Sequence, residues 1–246
     1  MRAANAILVV ARGDPPYPAC NAVSPSQQKR PPRVLIAGGG GGVGLACAEA
    51  LAGHDVELIL CDIDGLALTG AAERFGAFAR FCDSIEENSV AIFAAEIAEK
   101  FQSVDVLINA AGRGYVRALA MMRMTRAFMP LLRQAAGRRL LINIAPAGGF
   151  VASDGMFPYA SSLSAFERLS EALVEQVKGT SIEVVTVAPK LMRGQLTNEC
   201  SMNQLYQLRR VDEQHTADRV AAQVEAACAR GRREAPRNRG SASWSG

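Results

Sequence analysis

The 246-residue sequence predicts one α/β domain built on a doubly wound parallel sheet, with helices on both faces. Short apolar runs alternate with stretches of helical spacing along most of the chain. Five consecutive glycines join the first of these runs to a helical stretch. Because a strand, a helix and a second parallel strand form a right-handed crossover, this alternation favours a parallel sheet covered on both sides.

Each predicted strand is a short apolar run of the kind that lies buried in a parallel sheet. The runs cover residues 34–37, 56–60, 78–81, 104–108, 140–144 and 182–187. A stretch with apolar residues at helical spacing follows each run, and such spacing predicts a helix with one buried face. These stretches cover residues 43–52, 66–75, 86–101, 116–136, 158–178 and 217–230.

Composition changes sharply at both ends of this alternating region. Residues 1–32 contain six prolines, which remove backbone donors, so a loose, disordered extension is expected there. A start codon assigned too early would explain the same composition. The domain proper is expected over residues 33–229. Residues 230–246 carry five arginines and form a basic tail, which is either a disordered, solvated end or a phosphate-binding patch.

Charge and cysteine content exclude several classes of function. Lysine and arginine together number 27 against 24 acidic residues, and a net charge of +3 argues against a nucleic-acid partner. No apolar run reaches the roughly 18–20 residues of a membrane span. The six cysteines form no CxxC pair and the two histidines are far apart, so no metal site is expected. Buried thiols at Cys47, Cys61 and Cys82 suit a reducing, cytoplasmic location.

The glycine-rich segment from Gly38 to Gly44 follows a predicted strand and opens a predicted helix. Glycines permit positive φ angles and let the backbone approach a pyrophosphate, while the helix N-terminus attracts its charge. Asp62, 24 residues after Gly38, ends the next strand. A carboxylate there can accept both ribose hydroxyls and would repel a 2′-phosphate, which favours NAD over NADP. The alternative interpretation of Asp62 is a solvated strand end.

These features resemble the short-chain dehydrogenase/reductase family over about residues 33–235. Ala37–Gly44 is similar to the family's TGxxxGxG loop, with Ala in place of Thr. Asp83 matches the acid that contacts adenine, and Asn109–Gly112 is similar to the NNAG motif. Tyr159 matches the catalytic tyrosine at the start of a long helix, with a core aromatic residue beside Phe157 and Phe166 as the alternative interpretation. Val187–Pro189 matches the motif after the last strand.

The resemblance implies a Rossmann-like fold and a nicotinamide cofactor. Its expected cofactor-binding residues are Gly38, Gly42, Val43, Gly44, Asp62, Asp83, Asn109, Ala110, Gly112 and Pro189. In the family, a lysine four residues after the tyrosine lowers its pKa, and a serine thirteen residues before it polarises the substrate oxygen. Here those positions hold Leu163 and Pro146.

Two cations are candidates to support Tyr159 in place of the missing lysine. Arg117 aligns with the family's helix asparagine, only five residues after Gly112, and Lys190 stands where a glycine is expected. A positive charge near a tyrosine lowers its pKa. Lys190 as a solvated loop residue is the alternative interpretation.

Three hypotheses about function follow. The first is an NAD-linked oxidoreductase of small alcohols or ketones with impaired or atypical catalysis. The second is a non-catalytic dinucleotide-binding protein, such as a regulatory or partner subunit. The third is a decaying gene product without function. The family pattern also suggests a homo-oligomer.

Overall fold

The computed structural model describes residues 9–10, 30–112, 116–137, 139–145, 157–187 and 214–226. Side chains are described throughout these ranges except at 9–10 and 157–163. The strands are β1 Val9–Val10, β2 Arg33–Ala37, β3 Glu57–Asp62, β4 Phe78–Phe81, β5 Val106–Asn109, β6 Arg139–Ile144 and β7 Ile182–Val187. The helices are α1 Gly42–Ala52, α2 Gly65–Phe75, α3 Glu87–Phe101, α4 Arg117–Gln134, α5 Phe157–Gln176 and α6 at residues 214–226.

The described strands form one sheet in the order β1-β7-β6-β5-β2-β3-β4. Strands β2 to β7 pair in parallel, and β1 adds to β7 in the antiparallel direction. The chain runs outward from β2 to β4 and then returns to β5 on the other side of β2. Ligands of such sheets bind at the carboxyl ends of the strands where this reversal occurs. The predicted doubly wound parallel sheet is confirmed.

Side chains of the central strands alternate between two separate cores, since successive residues of a strand point to opposite faces. On β2, Val34 and Ile36 belong to one core with residues of α1, α2 and α6, among them Leu51 and Val224. Leu35 belongs to the second core, which α3, α4 and the end of α5 complete. The predicted helices on both faces are therefore present.

The strand register aligns four residues at one level near the carboxyl edge of the sheet. Ala37 pairs with Asn109, Asn109 with Asn143, and Asn143 with Thr186. On the other side of β2, Ala37 pairs with Cys61. The segments that follow β2, β3 and β5 therefore begin side by side.

Parts of the predicted N-terminal extension contact the domain. Val9–Val10 pairs with Val185 and Thr186 of β7. Arg30 forms an ion pair of 2.7 Å with Asp105, just before β5. Residues 1–8, 11–29 and 227–246 lie outside the described residues, so disorder of the remaining extension and of the basic tail stays a prediction. Within the described ranges, no helix is long and apolar enough to cross a membrane.

Candidate functional site

The glycine loop leaves β2 in a conformation that its backbone hydrogen bonds hold. Gly38 has a φ angle of +87°, which side chains strongly disfavour. The N–H groups of Gly38 and Gly39 both donate to the carbonyl of Cys61 on β3, at 2.8 and 3.0 Å. The start of the loop is therefore fixed to the end of the neighbouring strand.

The loop is also packed too closely for side chains at two positions. A Cβ on Gly44 would lie 2.0 Å from the carbonyl oxygen of Gly38, and one on Gly38 would lie 2.8 Å from the nitrogen of Ala111. Helix α1 therefore turns directly against the loop that precedes it. This close packing is the role of the glycines in a dinucleotide-binding loop.

Among the described residues, no side chain caps the N-terminus of α1. Its N-cap residue, Gly41, makes no side-chain hydrogen bond, and no acidic residue lies in the first turn. The first N–H groups of a helix lack partners within the helix and carry partial positive charge. Together with the preceding glycines, this end of α1 can hold a phosphate group.

Asp62 ends β3 beside this loop. Its Oδ2 accepts a hydrogen bond from the N–H of Gly40 at 2.9 Å, and its Oδ1 accepts from the N–H of Asp64 at 3.1 Å. The side chain is half-buried. Each carboxylate oxygen can accept more than one hydrogen bond, so Asp62 retains capacity for ribose hydroxyls.

Asp83 lies on the same edge, one strand further out. The N–H of the preceding residue, Cys82, donates to the carbonyl of Asp62 at 3.1 Å. Oδ1 of Asp83 accepts from the N–H of Ile85 at 3.0 Å. The structure thus brings the glycine loop and both predicted acids to the carboxyl edge of β2, β3 and β4.

Asn109 has a different environment from the other expected cofactor residues. Its side chain is 3% exposed, and Nδ2 donates to Oγ1 of Thr125 on α4 and to Oδ1 of Asn143 on β6, both at 3.0 Å. Oδ1 of Asn109 and Nδ2 of Asn143 have no partner among the described residues. Asn109 therefore ties two strands to α4 beneath the surface of the site.

Ala110 and Gly112 continue from β5 into the site. The N–H of Ala110 donates to the carbonyl of Ala37 at 3.0 Å. Gly112 has a φ of +93°, and a Cβ there would lie 2.7 Å from the Cα of Arg117. The first turn of α4 thus packs directly against Gly112.

Arg117 is the first residue of α4, and its side chain contacts the end of β6. Pro146, which occupies the position of the family's catalytic serine, follows two residues after that strand. Its Nη1 donates to the carbonyl of Ile144 at 3.4 Å. Tyr159 and Leu163 lie in α5, but their side chains are outside the described residues. Pro146, Pro189 and Lys190 also lie outside them. Catalytic assignments to Tyr159, Arg117 and Lys190 therefore stay predictions.

Sequence reasoning placed Cys61 and Cys82 as separate buried thiols and did not foresee that they meet. Both are free thiols, and their side chains belong to the same buried core. It also missed Thr125 and Asn143 as partners of Asn109. For Cys61, Cys82 and Asn143 the position near a strand end was the available signal, because neighbouring parallel strands end together; Thr125 lies in α4 and had no such signal.

Comparison with known proteins agrees with this architecture. Residues 32–205 match the family model for short chain dehydrogenases. An uncharacterized oxidoreductase of Thermotoga maritima is 24% identical over 217 residues, which cover 78% of this chain and 84% of the relative.

Two solved structures illustrate the fold and the cofactors seen with it. A short chain dehydrogenase/reductase from Burkholderia phymatum in complex with NAD has a TM-score of 0.63 and 22% identity, covering 83% of this chain and 88% of that one. An NADPH-bound short chain oxidoreductase from Pseudomonas aeruginosa with an atypical catalytic center has a TM-score of 0.55 and 20% identity, covering 61% and 68%.

The family match spans well over half of the chain and includes every element of the site described above. The sheet order is the one in which dinucleotides bind across the central reversal of strands. The chain therefore belongs to the short-chain dehydrogenase/reductase family of oxidoreductases.

Proposed function

We propose that this chain binds NAD(H) at the glycine loop and oxidises or reduces a small alcohol or carbonyl compound with an atypical catalytic set. The observation that carries the proposal is the hydrogen bond between Gly40 and Asp62. It fixes a carboxylate beside a phosphate-binding loop, at the distance along the chain where a ribose is recognised. A nicotinamide cofactor would supply hydride transfer.

The described loop fits such a cofactor. A Cβ atom on Gly38 or on Gly44 would lie only 2.8 or 2.0 Å, respectively, from a backbone atom, so neither position accepts a side chain. The backbone itself therefore forms the surface that would meet the phosphates. The uncapped N-terminus of α1 supplies N–H donors to that surface. These features support binding through the backbone rather than through basic side chains.

The preference for NAD over NADP follows from charge near Asp62. Ile63, the next residue, is 60% exposed and carries no charge. Neither the loop at 38–44 nor the segment at 62–66 contains a lysine or arginine. A 2′-phosphate would therefore meet the Asp62 carboxylate without a neighbouring cation from these segments, and repulsion would weaken NADP binding.

Catalysis is the part of the proposal in which this chain departs from its family. A tyrosine has a pKa of about 10 and is a poor base at neutral pH unless a cation lowers that pKa. Leu163 cannot do so, and Pro146 has no hydroxyl with which to polarise a substrate. We therefore assign the proton transfer to Tyr159, with support from Arg117 or Lys190. The Pseudomonas aeruginosa neighbour is a fold relative that also has an atypical catalytic center.

Leu163 favours a second candidate function, that of a non-catalytic dinucleotide-binding protein. The glycine loop and Asp62 are intact, whereas two of the family's catalytic positions hold residues without the needed chemistry. Such a protein would bind the cofactor and act as a regulatory or partner subunit. The two candidates share the binding site and differ only in turnover.

Two further parts of the proposal concern the setting of the protein. The free thiols of Cys47, Cys61 and Cys82 suit the reducing cytoplasm. The family resemblance suggests a homo-oligomer, which size-exclusion chromatography with light scattering would test.

A fluorescence titration with NADH, followed by a panel of alcohols and ketones, separates the candidates. NADH binding with turnover that Tyr159→Phe abolishes supports the oxidoreductase. Loss of turnover in Lys190→Met supports Lys190 as the supporting cation, and an unchanged rate overturns that role for Lys190. Binding without turnover on any substrate supports the non-catalytic protein. Absence of NADH binding overturns both.

A further inference from the structure

Two buried thiols meet on the strands that carry the predicted acids of the site. Cys61 lies on β3 and Cys82 directly follows β4, and their side chains are 1% and 2% exposed. The two side chains lie on the same face of neighbouring strands and belong to the same core between the sheet and α3. Each cysteine immediately precedes an acid, Asp62 or Asp83.

The two thiols are chemically unequal. The neighbouring Cys61 side chain lowers the pKa of Cys82 below its usual 9.0, although burial opposes this, and Ser89 lowers the pKa further. The neighbouring Cys82 side chain and burial together raise the pKa of Cys61 well above 9.0. Cys82 is therefore the better nucleophile, and Cys61 is a second thiol on the same face of the neighbouring strand.

Backbone groups of Cys61 and Cys82 form hydrogen bonds to the glycine loop and to Asp62, respectively. The carbonyl of Cys61 accepts from both Gly38 and Gly39, and the N–H of Cys82 donates to the carbonyl of Asp62. A displacement of Cys61 would therefore move the loop that we propose binds the phosphates. A displacement of Cys82 would move Asp62, which we propose binds the ribose.

We propose that Cys61 and Cys82 form an oxidation site at which a small hydroperoxide closes a disulfide. The Cys82 thiolate attacks one peroxide oxygen, the O–O bond breaks, and one water leaves with the thiol proton. The Cys61 sulfur then attacks the Cys82 sulfur, the S–O bond breaks, and a second water leaves. Two thiols lose two electrons, and one hydrogen peroxide gains two electrons and becomes two waters.

The peroxide reaches Cys82 through the edge of the sheet. Strand β4 is four residues long and pairs only with β3 among the described strands. Phe81, beside Cys82, is 60% exposed. Short edge strands open more readily than central ones, so Cys82 becomes accessible without unfolding of the domain.

Closing the disulfide requires the ends of β3 and β4 to move. Cys61 pairs with Arg80, so Cys82 lies diagonally across from Cys61 rather than opposite it. Diagonal neighbours are further apart than opposite ones, whereas a disulfide needs Cα atoms roughly 5.5–6 Å apart. The oxidised form therefore displaces the glycine loop. The expected antagonism between oxidation and dinucleotide binding rests on the proposed function, but the disulfide itself does not.

The test oxidises the reduced full chain with hydrogen peroxide, alkylates the remaining thiols and digests the protein with trypsin without reduction. The expected product joins peptides 34–74 and 81–100, which contain Cys61 and Cys82. Peptide 34–74 also contains Cys47, so Cys47→Ser must retain the product. Cys61→Ser and Cys82→Ser must abolish it, and Cys61→Ala and Cys82→Ala, with thermal melts, exclude misfolding as the cause.

Alkylation of both Cys61 and Cys82 after peroxide treatment, or a product that survives in Cys82→Ser, would overturn the proposal. The coupling is tested by adding NAD⁺ at ten times its Kd, which should slow formation of the disulfide about tenfold. An unchanged rate while NAD⁺ binds overturns the coupling. A disulfide that forms in a protein unable to bind NAD⁺ supports the oxidation site and overturns only the proposed function.

Discussion

The backbone N–H of Gly40 donates to Oδ2 of Asp62 at 2.9 Å, so one carboxylate both shapes the glycine loop and places a negative charge beside it. A neutral side chain of the same size would keep an acceptor for Gly40 and remove the charge. Loop geometry and charge can therefore be separated by substitution at this residue.

Asp62→Asn should narrow the preference for NADH over NADPH. Loss of the charge removes repulsion of a 2′-phosphate and weakens the hydrogen bonds to ribose, so NADH affinity should fall about tenfold, corresponding to about 1.4 kcal/mol. Fluorescence titration with both nucleotides measures the ratio. Asp64→Asn is the matched control, because Asp64 caps α2 by accepting from Ala67 and Asn caps equally well. An unchanged ratio in Asp62→Asn would contradict the assignment.

Gly44→Ala should weaken both the fold and nucleotide binding. The new Cβ would meet the carbonyl oxygen of Gly38 at 2.0 Å, so the loop must shift, at a cost of about 1–3 kcal/mol in unfolding free energy. Urea denaturation measures the loss. Gly41→Ala is the control for stability, since a Cβ there meets nothing within 4 Å and its φ is −161°. Equal stability of the two variants would refute this packing argument.

Thr125→Val should destabilise the protein by about 1–2 kcal/mol, because it removes one of the two partners of the buried Asn109 amide. Thr69→Val is a matched substitution on α2, where the exposed hydroxyl bonds to the carbonyl of Gly65. Its effect should stay within about 0.5 kcal/mol. Denaturant unfolding of both variants gives the comparison, and similar losses would show that the amide network contributes little.

Cys47 should make stability fall above pH 9. Burial raises the pKa of this thiol to about 12 in the folded protein, against 9.0 when exposed. Between these values the unfolded chain loses the proton and the folded chain keeps it, so the unfolding free energy falls as pH rises. Relative to Cys47→Ala, the wild type should lose about 2–3 kcal/mol between pH 8 and 11. Urea unfolding under reducing conditions measures this, and parallel pH curves would disprove it.

Most of the sheet was predictable from the sequence because its central strands are continuous apolar runs. The helix starts and the position of Asp62 followed from the same alternation. The strand at Val9–Val10 was not predictable, since two residues carry no periodicity and their pairing depends on an edge more than 170 residues away.

The local role of Asn109 and the proximity of Cys61 to Cys82 could not be predicted from the sequence either. Both depend on which face of the sheet a strand-end residue occupies and on the register with the next strand. A motif match identifies the residue but does not show on which face of the sheet its side chain lies. The five glycines, in contrast, could be interpreted from sequence, because backbone freedom is a property of the residue itself.

The pairing of Val9–Val10 with β7 has a consequence for handling the protein. A chain shortened to begin at residue 30 would retain strands β2 to β7 but would remove the described pairing partners of Val185 and Thr186 on β7. Such an edge is a template for addition of a strand from another molecule. Within the described part of the chain, two N-terminal residues therefore cover the edge of the sheet that lies furthest from β4.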